Sequence, residues 1–282
     1  MTILLHSSKT MRPLEPVDSN YHRPALLTEA AELALLLRTL SPANLQEYMQ
    51  LSAPRAEQTH ALIQAWTTNT TLQRPAIDAF LGDIYSGLQV QSLSSADRAY
   101  ANDHLLILSG LYGGLRALDS IQPYRLEMGY KLPTKNFKNL YEFWGTKIAG
   151  LVPTDTVVIN LSAVEYTKAV LPYIQNTVIT PKFLTVSPKT GEPTFVTVHA
   201  KVARGAFARW LIKRRVSSAN ELTQFNDLNY SYNATLSTDS EPVFVCSKFG
   251  GIGLSVRLSR TTPLAINNIV IYTRQYYTSK SI

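Results

Sequence analysis

Cysteine is nearly absent from this chain: Cys246 is the only one in 282 residues. A lone thiol excludes an intramolecular disulfide and fits a reducing compartment. It also leaves thiol-peroxidase chemistry resting on one residue, in a strand-like segment with no local basic motif to activate it. Histidines are few and scattered (His6, His22, His60, His104, His199), and neither Cys-x-x-Cys nor His-Glu-x-x-His occurs. Spacing therefore predicts no metal site, and no cofactor is expected. No Gly-x-x-x-x-Gly-Lys-Ser/Thr pattern is present, so the chain is not a P-loop protein. Long hydrophobic runs are missing too. The N-terminal Ile3-Leu-Leu5 run is too short for a signal peptide, and no later run approaches the roughly 18 apolar residues of a membrane span. A cytoplasmic protein without a membrane partner is the expectation.

What remains is an ordinary globular composition in a chain long enough for one large domain or two small ones. Basic residues outnumber acidic ones, 27 to 20, for a net charge of +7, which is compatible with a nucleic acid or another polyanion without requiring one. Apolar runs at Thr2–His6, Leu105–Leu108, Thr156–Asn160 and Phe195–His199 read as strands, and Asp239–Cys246 as a closing strand. Leu26, Ala30, Leu33 and Leu37 recur at helical spacing, with Ser41-Pro42 ending that helix and capping the next, and the helical pattern extends to about Leu81. Further helices are predicted after Ser94, over Phe137–Ala149 with a core stripe of Phe137, Leu140, Trp144 and Ile148, and over Lys201–Arg215. These elements alternate, and no linker, repeat or domain boundary interrupts them. The fold class expected is α/β (mixed α+β): a single domain whose central mixed sheet is flanked by helices, with a basic cleft at the strand ends.

The chain is organised around residues 108–129. After the 105–108 run, Gly110, Gly113 and Gly114 allow a tight reversal or a close approach to a phosphate. Pro123–Met128 then alternates, so Arg125 and Glu127 project to one face, either as a cleft wall or as a surface ion pair beside a turn. Ser109-Gly-Leu-Tyr-Gly113 and Gln122-Pro-Tyr-Arg-Leu-Glu-Met-Gly129 resemble the signature of the YaaA family, the bacterial peroxide-stress proteins. In the family's order there also stand Lys9-Thr10, Gly82-Asp-Ile-Tyr-Ser-Gly-Leu88, Phe143-Trp-Gly145, Asn160-Leu-Ser-Ala-Val-Glu-Tyr166, Ala200-Lys-Val-Ala-Arg-Gly205 and Phe225-Asn226. The family usually carries a Ser-Pro-Ala-Lys-Thr-like segment where this chain has His6, Ser7 and Ser8 before Lys9 and Thr10. The match covers residues 1–248, and 249–282 read as a C-terminal extension with no family counterpart.

The resemblance implies a role in surviving hydrogen peroxide, by limiting intracellular free iron and oxidative DNA damage. It also implies a positively charged cleft and a helix-hairpin-helix element, for which Ser109–Gly114 is the candidate. On this reading Lys9, Thr10, Arg125, Lys201 and Arg204 bind DNA or another anion, contacting phosphates and reading duplex or branched shape rather than base sequence. Asp83, Tyr85, Tyr124, Glu127 and Glu165 are further polar groups of the same cleft. Asp83 and Tyr85 are placed on one side of an extended turn, with backbone capping as the simpler role. Lys213, Arg214 and Arg215 are read as complementing a helix C-terminus. So many polar groups from separate loops also fit an enzyme acting on a small anionic or nucleotide-like substrate, with a lysine beside carboxylates as nucleophile or proton carrier. Nothing in the sequence specifies a reaction, and the binding reading stands first.

Overall fold

Nearly continuous apolar runs suit strands covered on both faces, and Thr2–His6 and Leu105–Ser109 are buried along their whole length. They pair in parallel, Ile3 opposite Leu105 and His6 opposite Leu108. The structure, a computed structural model, describes residues 1–13, 15–16, 22–69 and 72–251. Its strands begin with β1 (Thr2–His6), β2 (Thr10–Met11), β3 (Glu15–Pro16), β4 (Leu72–Pro75), β5 (Phe80–Leu81), β6 (Leu105–Ser109) and β7 (Gly113–Arg116). They continue with β8 (Ser120–Ile121), β9 (Val158–Asn160), β10 (Val178–Ile179), β11 (Lys182–Val186), β12 (Pro193–Thr194), β13 (Ser231–Tyr232) and β14 (Val243–Cys246). The helices are α1 (Leu27–Arg38), α2 (Pro42–Tyr48), α3 (Ala53–Ala65), α4 (Ala76–Ala79) and α5 (Asp83–Leu88), then α6 (Ser95–His104), α7 (Leu140–Trp144), α8 (Val164–Thr167) and α9 (Thr197–Arg214).

The main sheet has the order β10-β9-β1-β6-β7, parallel except for the β6–β7 hairpin. From β1 the chain goes to one side for β6 and returns to the other side for β9. The direction of winding thus changes at β1, where α/β sheets open a crevice beyond the carboxyl ends of their strands. A second sheet, β12-β11-β14-β13, carries the C-terminal part. Helix α9 packs against α5, α6 and β11. Phe207 on α9 meets Phe183 and Phe244 of the second sheet, and Phe225, with ring centroids 4.8–5.6 Å apart. This is an α/β fold with mixed sheets, as the pattern of elements predicts.

Local chemistry explains several boundaries. Ser41 and Ser94 each accept a backbone N–H three residues on, and each has its own N–H bonded back by the side chain at that position, Asn44 and Asp97. Both are capping boxes in form. Arg215 ends α9 in the left-handed region, pairs with Asp97 at 2.9 Å and lies over the Tyr100 ring, tying α9 to α6. The stripe Phe137, Leu140, Trp144 and Ile148 is buried as expected.

Other expectations are corrected. Residues 72–75 and 80–81 are strands, so the helical region does not run unbroken to Leu81. The helix expected over Phe137–Ala149 spans only α7, because Gly145 turns out of it at φ +47°. Phe195–His199 is not a strand: α9 begins at Thr197 and takes His199 into its first turn. Residues 83–88 form helix α5 rather than an extended turn. Ser109–Gly114 joins two antiparallel strands, so it is not the turn of a helix-hairpin-helix. Its glycines serve packing rather than phosphate approach: a Cβ on Gly110 would lie 2.3 Å from the Leu126 carbonyl oxygen. Phe249 stacks on His199 with centroids 4.0 Å apart. From residue 252 onward the extension, with the Ile269–Tyr272 run, lies outside the described residues.

Candidate functional site

The carboxyl ends of β1 and β9 lead into Ser7–Thr10 and Leu161–Tyr166. The short pairing of β2 with β5, Thr10 opposite Leu81, brings the first of these beside Gly82 and the start of α5. Between them opens a cleft of about 400 Å³ lined by Lys9, Thr10, Asp83, Tyr85, Glu127, Glu165 and Lys201 among the expected residues, together with His6, Ser7 and Tyr166. Tyr124 and Arg125 open instead onto a smaller pocket of about 50 Å³ that shares Lys9 and Thr10 with the cleft. Arg204 lies one helical turn after Lys201 on α9, less exposed than it, and its charge acts on His6.

The crossing of α5 and α9 positions much of this. A Cβ on Gly87 would lie 1.9 Å from the Val202 carbonyl oxygen, and one on Gly205 1.8 Å from that of Ile84. Only glycine permits this backbone-to-backbone approach, which sets Asp83 and Tyr85 opposite Lys201. Asp83 and Tyr85 reach the cleft from a helix, not from one side of an extended segment.

Glu127 and Arg125 do project to one side of an extended segment, alternating with buried Leu126 and Met128. Glu127 pairs with Lys9 at 2.8 Å, and the Lys9 side chain is 54% exposed against 14% for Glu127. Partial burial acts against the Lys9 ammonium, but the hydrogen bond and charge of Glu127 outweigh it and hold its pKa above the usual value. The Arg125 Nε is buried without a hydrogen-bond partner. Glu165 accepts the Gly129 N–H at 2.8 Å, and its backbone carbonyl accepts from the Tyr141 hydroxyl, so it also braces the loop. The charged groups lining the cleft are of mixed sign: Lys9 and Lys201 with Asp83, Glu127 and Glu165.

At the back of the cleft sits His6, a residue that in the sequence only marks a departure from the family pattern. Its Nδ1 accepts the Ala163 N–H at 3.1 Å and lies 3.3 Å from the Ser162 hydroxyl. The ring stacks on Tyr166 with centroids 4.9 Å apart. Burial, then the charges of Arg204 and Lys201, lower its pKa to about 3. His6 is therefore neutral at ordinary pH, and with Nδ1 accepting, its proton is on Nε2. The phenols behave likewise: burial raises Tyr85 and Tyr166 well above 10 and pushes Tyr124 up to about 12. Tyr85 donates to the His6 carbonyl at 3.0 Å, and the Tyr124 and Ser109 hydroxyls are 2.6 Å apart. The signal that points to His6 is its place as the last residue of a parallel strand.

Chemically, this is a concave site of uncharged donors (imidazole, phenols, hydroxyls) with cations and carboxylates around it. Such a set can bind and orient a polar ligand. Among the described residues no group of three His, Cys, Asp or Glu side chains is placed to hold a metal ion, and no helix is long and apolar enough to cross a membrane.

Comparison with known proteins adds the lineage. The family model described as "Peroxide stress protein YaaA" matches residues 1–236. A UPF0246 protein of Salinispora tropica is 51% identical over 258 residues, spanning 91% of this chain and 98% of that protein. UPF0246 proteins of Tolumonas auensis and Idiomarina loihiensis are 41% and 40% identical, over 86% and 80% of this chain and 97% and 91% of their own lengths. With the motifs in order and the match running through the sheet, the cleft and α9, the chain belongs to the peroxide stress protein YaaA family.

Proposed function

We propose that this protein serves the peroxide-stress response by limiting intracellular free iron and oxidative DNA damage, and that it binds DNA by shape at the mouth of the cleft. The observation that carries the DNA contact is Lys201, an exposed cation in the lining of the cleft near the start of α9. Arg204 follows one helical turn on, while Lys213 and Arg214 stand exposed at the C-terminal end of the helix, where they complement its dipole. Phosphate contacts of this kind position a protein on duplex or branched DNA without reading bases. The test is binding to labelled duplex and four-way-junction DNA across a salt series. Binding should weaken with salt, and Lys201→Glu should reduce the log–log salt slope by about 1 for each phosphate it no longer neutralises. Absence of binding at low salt overturns this reading.

A second reading rests on the shape and lining of the cleft. A concavity of about 400 Å³ backed by buried neutral donors is on the scale of a small molecule rather than a duplex. It favours a small anionic or nucleotide-like ligand, bound or acted upon at the carboxyl edge of the sheet.

A further inference from the structure

We propose that the cleft holds the phosphate group of a phosphate monoester, a nucleotide or a sugar phosphate, at His6 and Lys201 of its lining, with Arg204, one turn on from Lys201 on α9, reaching in to complete the grip. This rests on the reading that the cleft takes a small anionic ligand, and it names the chemical class and the groups that grip it.

Among the described residues no carboxylate forms an ion pair with Lys201 or Arg204, whereas Lys9, Arg98, Lys182, Arg209 and Arg215 each have one. Arg204 is half-buried, and burial alone pulls its pKa below the ordinary value. A partly buried guanidinium that no carboxylate neutralises is well fitted to a bidentate phosphate contact. His6 adds a neutral donor. Its Nδ1 is taken by the Ala163 N–H, so Nε2–H is the hydrogen the ring has to give. Because that ring stays uncharged, the three groups together carry +2, the charge that a fully ionised monoester offsets. Ser7, hydrogen-bonded to the Tyr166 hydroxyl, stands in the same corner.

The rest of the lining limits what the phosphate is attached to. Asp83, Glu127 and Glu165 share the cleft. They disfavour a second anionic group and suit hydroxyls as hydrogen-bond donors. The cleft is also far larger than a phosphate alone requires. A phosphorylated polyhydroxy compound meets both conditions, and the position beyond the carboxyl ends of β1 and β9 is where such ligands sit in open α/β sheets.

The experiment is calorimetric titration of the full chain at low salt with AMP, ribose 5-phosphate, inorganic phosphate and, as the uncharged control, adenosine. At least one ester should bind, and adenosine should not. Arg204→Gln should weaken ester binding about 10- to 100-fold, as removal of a charge-assisted hydrogen bond does, and Lys201→Gln about 10-fold. His6→Gln, which keeps a donor near the Nε2 position, should stay within about 3-fold, while His6→Phe should weaken binding about 10-fold. No heat from either ester at about 5 mM overturns the proposal, and so does binding of inorganic phosphate without either ester. Should Arg204→Gln not fold, the exposed Lys201 decides: unchanged ester affinity in Lys201→Gln also overturns it. DNA binding that no phosphate probe displaces, with no ester bound, leaves the DNA reading standing and removes this one. Ester binding without DNA binding does the reverse.

Discussion

At the scale of single residues, two buried ionisable groups set opposing pH dependences. His6 has a folded pKa of about 3, against 6.5 for a free imidazole. Between those values the unfolded chain binds more protons, so stability falls as pH drops through that window. Relative to His6→Gln, the native chain should lose about 2–3 kcal/mol between pH 7 and about 4.5, measured by urea unfolding; parallel curves for the two proteins would refute it. Asp119 has the opposite sense. Burial raises its pKa to about 6, although its carboxylate accepts the Arg116 N–H at 2.8 Å. Its contribution is favourable while the proton is held, and is lost as pH rises from 3.8 to about 6. Asp119→Asn keeps an acceptor for Arg116 and should gain about 1–3 kcal/mol at pH 7, with no gain below pH 4. Neither role was legible in the sequence. The partner that fixes the His6 tautomer lies 157 residues away, and burial at this depth arises only when β9 closes beside β1.

At the scale of elements, the crossing of α5 and α9 is the joint on which the cleft depends. Gly205→Ala would place a methyl group 1.8 Å from the Ile84 carbonyl oxygen. The helices must move apart, costing about 2–4 kcal/mol, read as a lower melting temperature. Because Asp83 and Lys201 sit on these two helices, ligand binding at the cleft should weaken in the same variant even where it remains folded. The joint also explains what the sequence concealed. The parallel strands were readable, since Thr2–His6 and Leu105–Leu108 are near-continuous apolar runs, and so were the Ser41 and Ser94 caps. Gly82–Leu88 reads as an interrupted, turn-like stretch because glycine lowers helix propensity. Residues 83–88 are nonetheless helical, and Gly87 there is what allows α9 to approach. Phe195–His199 reads as a strand from its β-branched residues, but Ala200, Ala203 and Ala206 beyond it are buried on α9 and draw Thr197 into the helix. Tertiary packing overrode local preference in both places. The alternation that placed Arg125 beside Glu127 was correct as geometry. It could not show that their side chains serve adjoining pockets.

At the scale of the molecule, α9 links the two sheets: it packs on β11 of the second and on α6, which packs on β6 and β7 of the main one. It carries Lys201 for the cleft, and Phe207 for the aromatic cluster with Phe183, Phe225 and Phe244. If that helix leaves, the second sheet loses its cover and α6 loses the partner that backs it against the main sheet. The chain should therefore unfold in one calorimetric transition, with the van't Hoff enthalpy close to the measured one; two resolved peaks would show the sheets to be independent. Phe207→Ala should cost about 3–5 kcal/mol and lower that single transition without splitting it.

The solitary thiol of Cys246 follows from the same architecture. It lies on β14, buried, with the Thr185 hydroxyl 3.5 Å away, inside the second sheet. A thiol reagent in excess can reach it only when that sheet opens, and no second cysteine confuses the signal. The rate of its modification is thus a built-in clock for breathing of the C-terminal half. Timed with and without a cleft ligand, that clock should slow if gripping Lys201 and Arg204 steadies the helix on which the sheet rests.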